Sequence, residues 1–143
     1  MNIMNLYIEK FDGSLSSEKD GIIFSNVSIV RIMIDGEYID EIDDFSNSLI
    51  YFEEMKNSRN GSGNYLIFTC ACGIAEDGGW EGVVVNRFNR IVEWSISVGV
   101  NVYSYLFDEI QYDSEIIKIE KSLREISLPL EPLNVIFPLN FHR

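Results

Sequence analysis

Period-two alternation of apolar and polar residues runs through three stretches of this chain and decides what it can fold into. Within Ile22–Ile34, Ser28, Val30, Ile32 and Ile34 fall on one face and Ile29, Arg31 and Met33 on the other. Arg90–Val98 sets Val92, Trp94, Ile96 and Val98 against Glu93, Ser95 and Ser97, and Val102–Ile110 sets Tyr103, Tyr105 and Phe107 against Ser104, Leu106 and Asp108. Runs of this kind have one dry and one wet side, as strands of an antiparallel sheet with a single buried face do. Asp35-Gly36 lies between the first run and Glu37–Ile42 and is a dipeptide that accepts the positive φ of a two-residue hairpin turn. Glu81–Arg87 and Arg90–Val98 form a second expected hairpin, and the almost unbroken apolar run Tyr65–Cys70 reads as a central strand.

Two segments have helical spacing instead. Asp43 or Asp44 is expected to cap a helix reaching Asn57, with Phe45, Leu49, Phe52 and Met55 on its buried side. Asp113 or Ser114 is expected to cap another ending near Ile126, striped by Ile116, Ile119, Leu123 and Ile126. Asn57–Asn64 and Asp12–Asp20, rich in Ser, Gly and charge, read as loops, and Pro129, Pro132 and Pro138 make the tail extended. No repeat or linker divides the 143 residues. The expected fold is a single α+β domain over residues 1–143, a largely antiparallel sheet of about six strands with two helices packed on it.

Charge narrows the function. With 11 Lys and Arg against 23 Asp and Glu the formal charge is −12, a balance that repels phosphate backbones and anionic lipid, so neither nucleic acid nor a membrane is expected as partner. Met1–Lys10 lacks the basic-then-apolar pattern of a signal peptide, and two cysteines make no disulfide framework; a cytoplasmic setting is expected.

Catalytic chemistry is sparse. His142, the one histidine, sits one residue from the end, and no P-loop, dinucleotide fingerprint or EF-hand loop occurs. Cys70-Ala-Cys72 on a strand would aim both sulfurs the same way, yet zinc wants two further ligands that no second Cys or His pair supplies. Two buried, reduced thiols are expected there, with no metal and no cofactor. Glu76, Asp77 and Trp80 make a secondary candidate interface in a Gly-containing loop, unless Trp80 folds back onto the sheet. The densest feature is acidic. Asp35, Glu37, Asp40, Glu41, Asp43, Asp44, Glu53 and Glu54 fall within twenty residues that hold no Lys or Arg, with Tyr38 and Tyr51 among them. Such a run is either a solvated face or a field that draws in a basic protein, with Tyr38 as an aromatic anchor.

Phe68-Thr-Cys-Ala-Cys-Gly-Ile-Ala75, then Gly79-Trp-Glu-Gly-Val-Val-Val85, then Ile91-Val-Glu-Trp94 resembles a set of small bacterial proteins among the immunity proteins of contact-dependent inhibition and related polymorphic toxin systems. The resemblance covers about residues 65 to 126, and the Tyr103–Phe107 strand and the Tyr112-Asp113 helix start share it. Members often carry Cys-Ala-Gly where this chain has Asp77-Gly78-Gly79. The resemblance implies a protein that is not an enzyme, acting by binding a cognate toxin domain, with a basic nuclease expected because an acidic inhibitor competes with phosphate for its Lys and Arg groups. Two other functions fit an acidic domain: a small hydrolase using two carboxylates, and an adaptor for an unrelated basic partner.

Overall fold

The computed structural model describes residues 1–142, with Glu76 and Asp77 described in backbone only. It is an α+β domain in which nine strands form three antiparallel sheets. The first sheet begins with β1 (Met4–Lys19) and β2 (Ile22–Ile34), joined by Asp20-Gly21, both at positive φ. The expected Asp12–Asp20 loop is therefore strand as far as Lys19, and only Asp20 belongs to a turn. Its polar residues belong to a hairpin arm that stands largely in solvent, where no apolar alternation is required. The ladder slips between Phe11 and Ser16, so that Asp12–Leu15 oppose the single Asn26. Further along β2 the expected face is buried: Ser28, Val30, Ile32 and Ile34 all point into the core. Asp35-Gly36, at φ 52° and 84°, then turns the chain into β3 (Glu37–Tyr38).

The helix expected from Asp43 to Asn57 does not form. Ile39–Glu41 and Asp43–Phe45 are single 3₁₀ turns, Ser48–Ile50 is a strand (β4), and only Phe52–Asn57 is helical (α1). Ser48 Oγ donates to the Phe45 carbonyl at 2.7 Å and ends the turn, and β4 finds its partner in β6 (Phe68–Cys70). The run Tyr65–Cys70 is buried throughout as expected, but it is not one central strand. Its first residue ends β5 (Gly63–Tyr65), which pairs with β7 (Val83–Phe88), and the chain bends at Leu66 and Ile67 before entering β6. Asn57–Asn64 is correspondingly more ordered than a loop, comprising a 3₁₀ turn at Ser58–Asn60 and the start of β5.

β7, β8 (Ile91–Val98) and β9 (Asn101–Asp108) complete the third sheet through two-residue turns. α2 (Glu109–Leu123) follows directly, one turn earlier than expected, because Asp108 itself caps it by accepting from Gln111 N at 3.0 Å. The earlier start puts Tyr112 on the buried stripe with Ile116 and Ile119. It also places Gln111 and Glu115 against the edge of β1, where their side-chain oxygens accept from the backbone N–H groups of Met4 and Leu6. The opposite side of the first sheet is closed at Ser28, whose backbone exchanges hydrogen bonds with Pro129 and Glu131 of the tail.

Trp94 lies at the centre, fully buried, with the rings of Phe107, Tyr112 and Phe68 edge-on at 5.3, 5.9 and 6.3 Å. Its Nε1–H donates to Tyr112 Oη at 3.1 Å, Tyr112 lies 2.6 Å from Ser58 Oγ, and Ser58 donates to the Met55 carbonyl at 2.6 Å. The only self-consistent proton order runs Trp94 to Tyr112 to Ser58 to Met55. Burial holds the Tyr112 hydroxyl well above an ordinary tyrosine, at about 12. The folded state thus prefers the protonated phenol more strongly than the unfolded chain does. This contribution is intact below about pH 10 and is lost as pH rises to about 12, an effect of about 3 kcal/mol. Urea midpoints measured across that window should fall more steeply for the native sequence than for Tyr112→Phe; equal slopes would remove Tyr112 as the cause.

Candidate functional site

The acidic stretch does not form one surface. From Asp35 to Asp44 it passes through the Asp35-Gly36 turn, β3 and the two 3₁₀ turns, meeting Asn101, Tyr103 and Tyr105 of β9. Asp35 Oδ1 accepts from Ile3 N at 2.8 Å and Oδ2 from Asn2 Nδ2 at 2.6 Å. The Asn2 bond first, then the Ile3 N–H, holds its carboxyl below the usual range. Asp44 Oδ2 accepts from Tyr103 Oη and, at 2.9 Å, from Asn101 Nδ2. Those bonds lower its pKa and, in return, raise that of Tyr103 to about 12. Both carboxylates are held ionised and in fixed orientation. A hollow between Asp35, Glu37, Ile39, Ile42 and Tyr105 continues the same surface, and Glu41 and Asp43 stand exposed beside it.

Asp40 has a different role. It takes both Nε and Nη2 of Arg31, at 2.9 and 2.7 Å, while Arg31 Nη1 lies 3.4 Å from Glu9. The guanidinium covers the Tyr38 ring at 3.6 Å, and Tyr7 meets that ring edge-on at 6.0 Å. Tyr38 is thus half-buried, with Arg31 over its ring, and only the remaining surface of its side chain is open to a partner. Tyr38 and Asp40 are visible in the acidic stretch, whereas Arg31, Tyr103 and Asn101 lie outside it. Arg31 had a signal: the two-residue turn pairs Ile34 with Glu37 and Met33 with Tyr38, and extending that register sets Arg31 opposite Asp40. Tyr103 and Asn101 had none, being 59 and 57 residues from Asp44.

Glu53 and Glu54 lie apart from this surface. Glu53 pairs with Lys56 at 3.0 Å, at the mouth of a cleft shared with Glu120, Arg124 and Leu133. Glu54 is 1% exposed and cannot meet a partner. It accepts from the Leu66 N–H at 3.1 Å and from Asn57 Nδ2 at 2.8 Å, fastening the Leu66–Ile67 bend to α1. Its placement among the binding residues is corrected: a carboxylate is the acceptor this bend requires.

Of the secondary candidates, the side chains of Glu76 and Asp77 lie outside the described residues. Trp80 does fold back. It is 5% exposed, and its indole packs so closely on Gly78 that a Cβ there would come within 1.9 Å of the ring. It forms one wall of a cleft of about 500 Å³ that Val84, Ser95, Phe141 and His142 also line. Cys70 and Cys72 differ from expectation too: β6 ends at Cys70, a turn follows in which Gly73 N donates to the Cys70 carbonyl, and Cys72 is exposed whereas Cys70 is buried. Among the described residues, no three His, Cys, Asp or Glu side chains are grouped to hold a metal, and no helix is long and apolar enough to cross a membrane. No family model, curated protein or solved structure matches the chain.

Proposed function

We propose that this chain is an immunity protein that acts in the cytoplasm, binding a cognate toxin domain and covering the basic surface with which that domain holds its substrate. The observation that carries this reading is the surface from Asp35 to Asp44. Among its described residues the one paired cation is Arg31 on Asp40, while Asp35 and Asp44 are oriented by neutral donors. Neutral donors fix a carboxylate without cancelling its charge, so the surface is ordered and still strongly negative. That suits the capture of a cationic surface, and the resemblance over residues 65–126 supplies the toxin as the cation's owner. A carboxylate hydrolase gains no support, because a general acid needs a carboxyl held protonated, and Asp35 and Asp44 are shifted the opposite way.

The test is co-expression of the tagged chain with the carboxy-terminal domain of the large protein encoded just upstream. A one-to-one complex that keeps alive cells killed by that domain alone is the expected result. Added salt should slow association strongly and change dissociation little, since long-range attraction acts on encounter and buried anchors act on release. A stable complex with no protection would leave an acidic adaptor; no complex at all would end the toxin reading.

A further inference from the structure

Cys70 and Cys72 place their sulfurs 3.1 Å apart, with Cys72 Sγ donating to Cys70 Sγ. A disulfide bond is about 2.05 Å long, so the two atoms need close by only about 1 Å to bond. One residue separates them, and the turn that brings them together is already closed by Gly73 N on the Cys70 carbonyl at 3.0 Å. The loss of chain freedom on forming the ring is therefore small. The two thiols are also unlike in access: Cys72 is exposed and Cys70 is 5% exposed.

We propose that Cys70 and Cys72 form a dithiol–disulfide couple that reacts with small-molecule disulfides, in which Cys72 is the thiol that meets the reagent and Cys70 is the thiol that closes the ring. The assignment follows from burial. A disulfide reagent reaches the sulfur that solvent reaches, and burial pushes the Cys70 thiol above its ordinary pKa, which disfavours Cys70 as the first sulfur to attack. The Cys72 thiolate attacks one sulfur of the reagent, the reagent's S–S bond breaks, and one reagent thiolate leaves. Cys70 then loses its proton to solvent beside Asp20, whose Oδ2 lies 3.9 Å from its sulfur. The resulting thiolate attacks Cys72 Sγ and expels the second reagent thiolate. Two protein thiols are oxidised by two electrons in all, and one reagent disulfide is reduced to two thiols.

This couple is independent of the toxin reading and is tested on the isolated chain with glutathione disulfide at neutral pH, followed by intact mass. The native protein should lose two hydrogens and both titratable thiols, with no lasting adduct. Cys70→Ser should stop with one glutathionyl group on Cys72. Cys72→Ser should remain unmodified over the same period under native conditions and react once urea unfolds it. A native protein that accumulates glutathionyl adducts without closing the ring overturns the proposal. So does a folded Cys72→Ser that reacts as fast as the native chain. If either serine variant fails to fold, peptide mapping of the oxidised native protein still decides, since a Cys70–Cys72 link is either present or absent.

Discussion

Trp94→Ala should destabilise the domain by about 3–5 kcal/mol, the largest loss expected from any single truncation in this chain. The indole is fully buried where the third sheet meets β6 and α2. Its removal opens a cavity beneath Phe107 and Tyr112 and also deletes the N–H that donates to Tyr112 Oη. The hydroxyl of Tyr112 still donates to Ser58, but its own acceptor site is then left buried and empty. A domain of this size has about 5–15 kcal/mol in total, so the variant would be marginal, with a melting temperature lower by about 10 °C or more. Trp94→Phe separates the two causes, because it keeps a ring and discards the donor. Val102→Ala, on the outer side of β9 at 65% exposure, should stay within about 0.5 kcal/mol of the native chain in the same urea titration. A loss below about 1 kcal/mol for Trp94→Ala would contradict the placement of this ring at the centre of the core.

The elements legible in the sequence were those whose partners are local. Asp35-Gly36 and the β7–β8 turn at Asn89-Arg90 fix register within a few residues, and the pairs Met33 with Tyr38 and Val85 with Trp94 follow from them. Where pairing depends on distant chain, local signals misled. Phe45, Leu49, Phe52 and Met55 have helical spacing and all four are buried, but Phe45 lies in a 3₁₀ turn, Leu49 in a strand, and Phe52 and Met55 in a short helix. What separates them is β6, twenty residues on, which pairs with β4 and takes Leu49 out of any helix. In β1 the failure ran the other way: Ser16, Ser17, Glu18 and Lys19 have the composition of a loop, and only Ser25, Phe24, Ile23 and Ile22 facing them on β2 make them a strand.

Burial was more legible than charge. The apolar run Tyr65–Cys70 predicts burial and is buried, although it divides between β5 and β6 and does not form one strand. Glutamate is nearly always a surface residue, and nothing in the neighbourhood of Glu54 announces that the Leu66–Ile67 bend leaves an N–H needing an acceptor. The candidate site was legible as a density of acids and not as an arrangement. The arrangement depends on Arg31, Asn101 and Tyr103, which lie outside the acidic stretch and determine which of its carboxylates remain available.

That arrangement selects the variant with which the toxin reading meets its strongest test. Asp40 and Asp44 are unsuitable for reversal, since Lys at either site breaks contacts to Arg31 or to Tyr103 and disturbs the fold. Glu37, Glu41 and Asp43 are exposed, and no salt bridge joins them to the described residues. Reversing these three to Lys moves the formal charge by two units each, from −12 to −6. Folding stability should change little, as the side chains leave no buried partner behind. Binding to the toxin domain should weaken by about a hundredfold or more, because close charge pairs across an interface are worth about 1.5 kcal/mol or more each and reversal turns attraction into repulsion. Asp12→Lys, Glu18→Lys and Glu125→Lys together give the same net charge from exposed positions on the hairpin arm and beyond α2. That control should slow association modestly and leave dissociation unchanged, since it weakens only the long-range field. Equal loss in the two triples would assign recognition to net charge alone and remove the surface from Asp35 to Asp44 as the contact. Full affinity in the Glu37, Glu41 and Asp43 triple would move the contact elsewhere, and the Trp80 cleft, with Glu81 on its wall, is then the next surface to substitute.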